Sequence, residues 1–195
     1  YFKDFYFKMV EKTKKGKKRW IKIYAPAEFK NTFLGESYVI DPERLIGKTI
    51  QLSLSNIIGD MKKQNTLVTF KIKEIKGAEA HTSLISYEII KSHIKRLVRT
   101  GQDKIEDSFI LKSNDQMSLR IKPLMITRNK AKNSILTRIR MATKDRLTAL
   151  FSENEFQQAT NELISGKFQY ALRHDLNKIY PVVVLEIRKI ELINR

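Results

Sequence analysis

Residues 68–84 read VTFKIKEIKGAEAHTSL, and this stretch decides the fold class. At its start, apolar residues alternate with Thr and Lys, which is the two-residue period of a strand with one buried face. The apolar members are Val68, Phe70 and Ile72. Gly77 supplies a turn, after which Ala80 to Leu84 has the length to pair back on the first strand. The stretch therefore predicts a β-hairpin.

Strand and helix patterns surround this hairpin in a mixed order. Alternation or β-branched runs predict further strands at 20–24, 49–56, 105–111, 117–126 and 182–187. Helical periodicity predicts helices at 87–98, 134–150 and 167–179, and a further helix that Ser152 opens and Gly166 ends precedes the last of these. Ser152 and Glu155 form a capping box at the start of this further helix. The order of strands, helix, strands, three helices and strand is typical of an α+β fold.

The chain shows no internal division into separate domains. Residues 28–43 have no sustained period, which predicts a loop. No fixed-period repeat or Gly/Ser-rich linker interrupts the sequence. We therefore expect a basic N-terminal extension at 1–19 and a single α+β body at 20–195. Within that body we expect a β-rich part at 20–126 and a helical part with a closing strand at 127–195.

The positive charge is large and unevenly distributed. The chain carries 38 Lys and Arg against 21 Asp and Glu, a formal net charge of +17. Residues 1–19 and 127–146 each have a net charge of +6, so 39 residues hold 12 of the 17 charges. Such an excess repels itself in a folded chain and favours a polyanionic partner, most commonly nucleic acid. Two separate basic runs favour one extended RNA surface over a single solvated tail.

Individual RNA-binding residues follow from the two runs and from a basic face on the helix predicted at 87–98. We expect the N-terminal run to become ordered only on RNA and the second run to be a preformed surface. Arg146 falls beside the apolar stripe of its helix, so it needs a carboxylate partner or an outward path for its head group. The expected RNA-binding residues are Lys12, Lys14, Lys15, Lys17, Lys18, Arg19, Trp20, Lys95, Arg96, Arg99, Arg128, Lys130, Lys132, Arg138, Arg140 and Lys144.

A solvated tail, an import signal or a membrane-binding patch would account for the charge less well. Lys-rich runs occur in solvated tails and in nuclear-import signals. A basic run beside the aromatic residues of 1–7 would also suit an anionic membrane surface. The chain has no Cys, which disfavours a disulfide framework, and no apolar run of about 18 residues, which disfavours a transmembrane helix. We therefore expect no membrane partner and a cytoplasmic location.

No catalytic motif is recognisable. The three His residues are dispersed, without the spacing of a metal site. Asp103, Glu106 and Asp107 form an acidic group, but strand alternation places the last two on opposite faces, and charge balance explains them. The seven Gly residues form no phosphate-binding loop. The sequence predicts no enzyme, no metal site and no cofactor. The alternative that stays open is an RNA-processing or RNA-modifying enzyme whose site assembles from distant residues.

Several strings match one family in order and in spacing. Residues 20–29, WIKIYAPAEF, follow directly on a basic run, and residues 127–134, TRNKAKNS, precede a long predicted helix. The last helix-to-strand junction carries KIYP at 178–181 and LEIRK at 185–189. Further matches are Gly59-Asp60, RLVR at 96–99 and KIE at 104–106. Together they span Trp20 to Leu192 and resemble the archaeal and eukaryotic small-subunit ribosomal protein family eS1, also written S3Ae.

This resemblance carries specific expectations. It implies a barrel-like, largely antiparallel β body with packed helices. It implies a structural, non-catalytic constituent of the small ribosomal subunit, ribosome-bound in the cytoplasm and seated on the platform. The implied partners are small-subunit ribosomal RNA near its 3′ region, neighbouring small-subunit ribosomal proteins, and messenger RNA near the exit channel. The residues independently indicate the mechanism, in which Lys and Arg neutralise phosphates with little base-specific readout.

Overall fold

A computed structural model describes residues 17–193 of the 195-residue chain. Within this range the chain forms nine strands, five α-helices and three short 3-10 helices. The strands are β1 (Arg19–Tyr24), β2 (Phe33–Val39), β3 (Thr49–Ser53), β4 (Thr66–Lys76), β5 (Glu79–Ile89), β6 (Lys104–Glu106), β7 (Phe109–Lys112), β8 (Ser118–Thr127) and β9 (Val182–Leu192). The α-helices are α1 (Leu54–Ile58), α2 (Lys91–Leu97), α3 (Asn133–Glu153), α4 (Phe156–Ser165) and α5 (Lys167–Asn177). The predictions for Lys12, Lys14 and Lys15 lie outside the described residues.

The strands form one sheet built on β5. β4 pairs with β5 in the predicted hairpin, and β3 pairs with β4. The other edge of β5 is divided between two strands. β1 runs parallel to its start, with Lys22 opposite Glu79, and β9 runs antiparallel to its end, with Lys189 opposite Glu88. β2 extends the sheet beyond β1, while β8 lies beyond β9 and pairs with β6 and β7 on its far side.

The expected barrel-like body is wrong, because this sheet is open. A barrel requires its end strands to pair with one another. In the described part of the chain, β2, β3, β6 and β7 each pair with a single strand. β1 and β9 pair with the same edge of β5 at different points, and each begins a separate arm of the sheet. The sheet stays open because, within residues 17–193, the end strands of these two arms do not pair with each other. The α+β class and the largely antiparallel pairing are confirmed.

The apolar faces of the sheet and helices form the core. Val68, Phe70 and Ile72 are buried, as the alternation of the opening stretch predicts. The Phe70 ring packs edge-on against Phe29, with 5.4 Å between centroids. On the other arm, Met125 of β8 packs in one cluster with residues of α3 and α5. The helices therefore fix the end of β8, from which the second basic run begins.

Four elements differ from their predicted form in the first two thirds of the chain. The strand predicted at 105–111 is divided into β6 and β7, with Asp107 and Ser108 between them. The helix predicted at 87–98 is a strand as far as Ile89 and a helix only from Lys91. Tyr87 and Ile89 are buried while Glu88 is half-buried, so a two-residue period overrides the helical one. The strand predicted at 49–56 ends at Ser53, where α1 begins. The loop predicted at 28–43 contains β2, which forms a hairpin with β1.

The helices of the last third match their predictions more closely. α3, α4 and α5 and the closing strand all occur, and Gly166 ends α4 as expected, with a φ of +83°. The capping box is wrong, because the Ser152 hydroxyl donates to the Thr148 carbonyl at 2.8 Å. The first N–H of α4, on Phe156, instead donates to the carboxylate of Asp115 at 3.3 Å. A residue distant in sequence therefore does the capping.

Candidate nucleic-acid interface

The basic run after β8 begins as a loop that is held by its backbone. We call residues 128–132 the basic loop; it joins β8 to α3. Its three cationic side chains, Arg128, Lys130 and Lys132, are all exposed. Its backbone, in contrast, is fixed at four points by hydrogen bonds. The side chains are therefore presented to solvent from a defined backbone.

Asp103 holds the middle of the basic loop. One Asp103 carboxylate oxygen accepts a hydrogen bond from the backbone N–H of Ala131 at 2.8 Å. The buried Thr127 side chain strengthens the same junction, because its hydroxyl accepts from the Asp103 N–H at 3.0 Å and lies 2.7 Å from the Asn129 carbonyl. Thr127 and Asp103 also form a backbone bond of 3.0 Å. Asp103 thus positions the cations beside it and is not a free carboxylate.

The segment that enters β9 holds the two ends of the basic loop. The Arg128 N–H donates to the Pro181 carbonyl at 3.0 Å. The Tyr180 hydroxyl donates to the Lys130 carbonyl at 3.1 Å. These contacts join residues about fifty positions apart in sequence. They fix the backbone of the basic loop, while its role as an RNA-contact surface stays a prediction.

Helix α3 continues the cationic surface. Its N-cap residue, Lys132, makes no side-chain capping bond, so the first backbone N–H groups of a 21-residue helix have no side-chain acceptor. Such a helix start carries partial positive charge and favours anions, including phosphate. Along the helix, Ile139, Thr143 and Leu147 are buried, while Arg138 and Lys144 are exposed. The start of α3 directly follows the basic loop, and its cations are exposed to solvent as those of the loop are.

Two arginines of α3 have acidic partners. Arg140 Nε lies 3.8 Å from a carboxylate oxygen of Asp107, so its charge is partly compensated within the protein. The Arg146 guanidinium donates to the Asp175 carboxylate at 2.8 Å. Asp175 is thus the carboxylate partner expected for an arginine beside the apolar stripe of its helix. A hydrogen bond from Lys178 lowers the pKa of Asp175 below its ordinary value, and Arg146 lowers it further. Of the arginines in this run, Arg128 and Arg138 therefore have the most available charge.

α2 and the segment directly after it carry three further cations that the sequence predicts to bind RNA. β5 pairs only with the end of β9. α2 follows β5 and lies beside the earlier part of β9, where His93 Nε2 of α2 is 3.9 Å from the carboxylate of Glu186. Lys95, Arg96 and Arg99 are exposed, and the Arg96 guanidinium donates to the Asn65 side chain at 3.3 Å. These cations form a second, smaller surface near the arm that carries the basic loop.

The N-terminal run enters β1, and strand alternation divides it between two faces. Lys18 and Trp20 lie on the outer face, where the Lys18 ammonium is 5.5 Å from the centre of the Tyr38 ring. Lys17 and Arg19 line a groove on the other side together with Asp41, Glu43 and Arg44. Trp20 is 61% exposed and packs on Tyr38 with 4.7 Å between ring centroids. The sequence alone does not predict this aromatic pair, because the pattern at 28–43 indicates a loop where β2 forms.

The two basic runs lie at opposite ends of the sheet. β1 meets β5 at Glu79, whereas β9 meets it only from Ser86 onward. The basic loop lies beside the start of β9, at Val182, and β9 runs from there back toward β5. Seven positions of β5, from Glu79 to Ser86, and nine positions of β9, from Val182 to Glu191 opposite Ser86, lie between the two runs. At about 3.3 Å per residue these lengths span about 23 Å and about 30 Å. The two runs therefore form separate cationic surfaces, besides the smaller one of Lys95, Arg96 and Arg99, and an RNA that touches both runs must extend across the body.

The remaining polar clusters do not form a recognisable catalytic site within the described part of the chain. Glu106 pairs with Arg188 at 3.3 Å, so the acidic group at 103–107 serves to position and balance cations. A cavity of about 160 Å³ is lined by Tyr87, His93 and Glu186 among others, and burial raises the pKa of Glu186. No group of three His, Cys, Asp or Glu side chains suited to a metal occurs within residues 17–193. The helices of the same range include none with the length and apolar character needed to cross a membrane.

Comparison with known proteins gives a consistent family. Residues 8–195 match the model of the Ribosomal S3Ae family. The chain is similar to small ribosomal subunit protein eS1 of Halorubrum lacusprofundi, with 32% identity over 175 residues, covering 90% of this chain and 81% of that protein. It is 31% identical to the eS1 protein of Nanoarchaeum equitans over 173 residues, covering 89% and 87%. The eS1 protein of Haloarcula marismortui is 30% identical over 172 residues, covering 88% and 81%. With the matched region spanning the basic loop, α3 and the whole described sheet, this chain belongs to the Ribosomal S3Ae family.

Proposed function

We propose that this protein is a structural, non-catalytic constituent of the small ribosomal subunit and that it binds ribosomal RNA by neutralising phosphates. The single observation that supports this most is the basic loop, whose cations project from a backbone held by Asp103, Tyr180 and Pro181. Holding the backbone lowers the entropic cost of placing the cations on RNA. Membership of a ribosomal protein family supports the same role, as do the names of the relatives.

The proposed RNA contact is made by charge and shape. Arg128, Lys130, Lys132 and Arg138 are exposed around the start of α3, and Lys144 is exposed about three turns further along it, which suits a run of phosphates better than the edge of a single base. Lys95 and Arg96 of α2, with Arg99 just beyond its end, extend this contact. Lys12 to Arg19 would reach RNA at the opposite end of the sheet. Residues 20–195 act in this proposal as one unit that spans two RNA positions.

The proposed location follows from the resemblance of the strings at 20–29, 127–134 and 178–189. It is the platform of the small subunit, close to the 3′ region of its RNA and to the messenger exit channel. Neighbouring small-subunit proteins would border it there. The divergence of the two sheet arms supports a role that links separate RNA elements.

Charge reversal on the basic loop tests this proposal. The triple variant Lys130→Glu, Lys132→Glu and Arg138→Glu should bind small-subunit RNA at least about tenfold more weakly, with a smaller salt slope, because phosphate contacts release counterions. The matched control is Lys48→Glu, Lys73→Glu and Lys112→Glu, which changes the net charge equally at exposed positions on other elements. Gradient sedimentation of tagged proteins should show the control with small subunits and the first variant at the top. Equal loss in both variants, or loss in neither, would refute the assignment of this surface.

A further inference from the structure

The outer face of the β1–β2 hairpin carries two exposed aromatic pairs. Trp20 lies opposite Tyr38, and Tyr24 lies opposite Phe33, with ring centroids 4.7 Å and 6.0 Å apart. Trp20, Tyr38 and Phe33 are each at least half exposed. We call these four residues the aromatic ladder. Large aromatic side chains placed together in solvent on a sheet are typical of a binding surface.

The hairpin packs on the body through its other face. β1 buries Ile21 and Ile23 on its inner face, where they pack with Leu45, Ile72 and Ala80. That inner cluster anchors the hairpin to the body. The ladder therefore projects from an already supported strand pair, and its exposed area is available to a partner.

The charges around the ladder select the class of partner. Lys18 lies over the Tyr38 ring, and Lys22 stands between Trp20 and Tyr24 on the same face, opposite Glu36. The chain enters β1 directly from the basic run at 12–19, which contains six Lys and Arg. Cations beside exposed rings fit a ligand that offers both negative charge and flat apolar faces. An unpaired stretch of RNA has this combination, whereas a duplex hides its base faces.

We infer that the aromatic ladder stacks the bases of single-stranded RNA, with Lys18 and Lys22 on the phosphates beside them. The alternation of β1 separates the Trp20 and Tyr24 positions by about 13 Å, so the ladder offers two stacking places with a cation between them. This inference rests on the proposed function, since it takes RNA as the partner. It assigns the two ends of the body different tasks: the basic loop holds folded RNA by its phosphates, and the ladder holds an unpaired segment.

Trp20 provides its own reporter, because it is the only Trp in the chain. The full chain is titrated with a short oligoadenylate and, separately, with a duplex RNA of equal length. Binding is followed by anisotropy of labelled RNA, and stacking by the emission of Trp20 with unlabelled RNA. The single strand should quench Trp20 strongly and the duplex weakly. Tyr38→Leu should weaken binding of the single strand about tenfold while leaving duplex binding unchanged, as expected for loss of stacking on one base.

Two controls separate the possible failures. Tyr170→Leu removes a ring that is 78% exposed on α5, and it should change neither readout. Trp20→Tyr should restore most of the single-strand affinity that Trp20→Leu loses. Binding of the single strand without quenching of Trp20 would overturn the ladder as a stacking site, leave the proposed function intact, and assign this face to a protein neighbour. Failure of the full chain to bind either RNA would overturn both proposals.

Discussion

The Asp103 carboxylate lies 2.8 Å from the backbone nitrogen of Ala131, so this acidic residue bonds to the backbone of the basic loop and not to its cations. This relationship separates two possible sources of RNA affinity. If charge alone decides affinity, Asp103 opposes binding. If the shape of the loop matters, Asp103 assists it despite its negative charge.

Replacing Asp103 should therefore show which source dominates, by whether RNA binding becomes weaker or tighter. Asp103→Ala raises the net positive charge by one and frees the Ala131 N–H. We expect binding of small-subunit RNA to weaken about three- to tenfold, because a mobile loop must be ordered on binding. Filter binding at two salt concentrations measures this. The control is Asp107→Ala, which removes an equal charge 3.8 Å from Arg140 and leaves the loop bonds intact; it should bind RNA as well as the wild type or better. Tighter binding by Asp103→Ala would favour charge alone.

Tyr87 should make stability depend on alkaline pH. Burial raises the pKa of Tyr87 to about 12 from an ordinary value of 10.0, with Glu186 adding to the effect and a hydrogen bond with Thr66 opposing it. The folded state thus favours the neutral phenol. Its contribution is fully present below pH 10 and is lost as the pH rises toward 12, a decrease in the free energy of unfolding of about 3 kcal/mol.

Chemical denaturation of wild type and Tyr87→Phe across this range tests the prediction. The difference between the two curves isolates Tyr87 from the lysines that titrate nearby. The two proteins should converge in stability as the pH rises from 10 to 12, or the variant should become the more stable one. Parallel curves would contradict a buried phenol.

Glu186 should destabilise the protein at neutral pH. Burial raises its pKa, His93 opposes that rise, and one Glu186 carboxylate oxygen has no hydrogen-bond partner among the described residues. A raised pKa means that the contribution of this group is present at acidic pH and is lost as the pH increases. Glu186→Gln should therefore raise the free energy of unfolding at pH 7 by about 1 kcal/mol, because an amide avoids burial of charge.

Urea denaturation at pH 7 and pH 4 provides the test for Glu186. The gain should be present at pH 7 and should largely disappear at pH 4, where the wild-type carboxyl is protonated. Glu88→Gln serves as the comparison, since its carboxylate lies 3.9 Å from Lys189, and it should bring no gain at either pH. A destabilised Glu186→Gln at pH 7 would show that the attraction to His93 outweighs burial.

Gly166 should tolerate an Ala poorly for conformational reasons. It ends α4 and precedes α5 with a φ of +83°, a conformation that L side chains rarely adopt. An added Cβ would meet only Gln169 Oε1 at 3.7 Å, so there is space for it. Gly166→Ala should cost about 1 to 2 kcal/mol, and Gly166→Asn less. Thermal denaturation that ranks Ala above Asn in stability would contradict this reason.

Local periodicity predicts most of the elements but not how they assemble. The central hairpin, the start of β1, the three C-terminal helices and the closing strand all follow from patterns within a few residues. β2 escapes prediction because Gly35 and the polar residues around it give no clear alternation, and its strand form depends on pairing with β1. The helix expected at 87–98 is misplaced because Tyr87, Ile90 and Ile94 also fit a helical stripe. Only the pairing of β5 with β4 decides between the two.

The sequence predicts which residues give the candidate interface its charge better than it predicts where those residues lie. The charge of the basic loop predicts a cationic surface, and its exposed cations agree with that prediction. The division of Lys17 to Trp20 between two faces, and the separation of the two basic runs, depend on the divided edge of β5. The partners of Arg140 and Arg146 are carboxylates about thirty residues away in sequence, Asp107 and Asp175. No short-range pattern encodes such pairs.

The position of β9 between β5 and β8 has a consequence for folding during synthesis. A nascent chain that has reached Thr127 contains β1 to β8, but the two halves of the sheet have no strand between them until β9 is synthesised. β9 comprises residues 182–192 and begins 55 residues after the end of β8. Until then the apolar edge of β8, with Leu124 and Ile126, stays uncovered and exposed to aggregation. Completion of the native sheet must therefore wait until residues 182–192 have been translated, and a truncated product that stops before Val182 should be a target for chaperones and proteases.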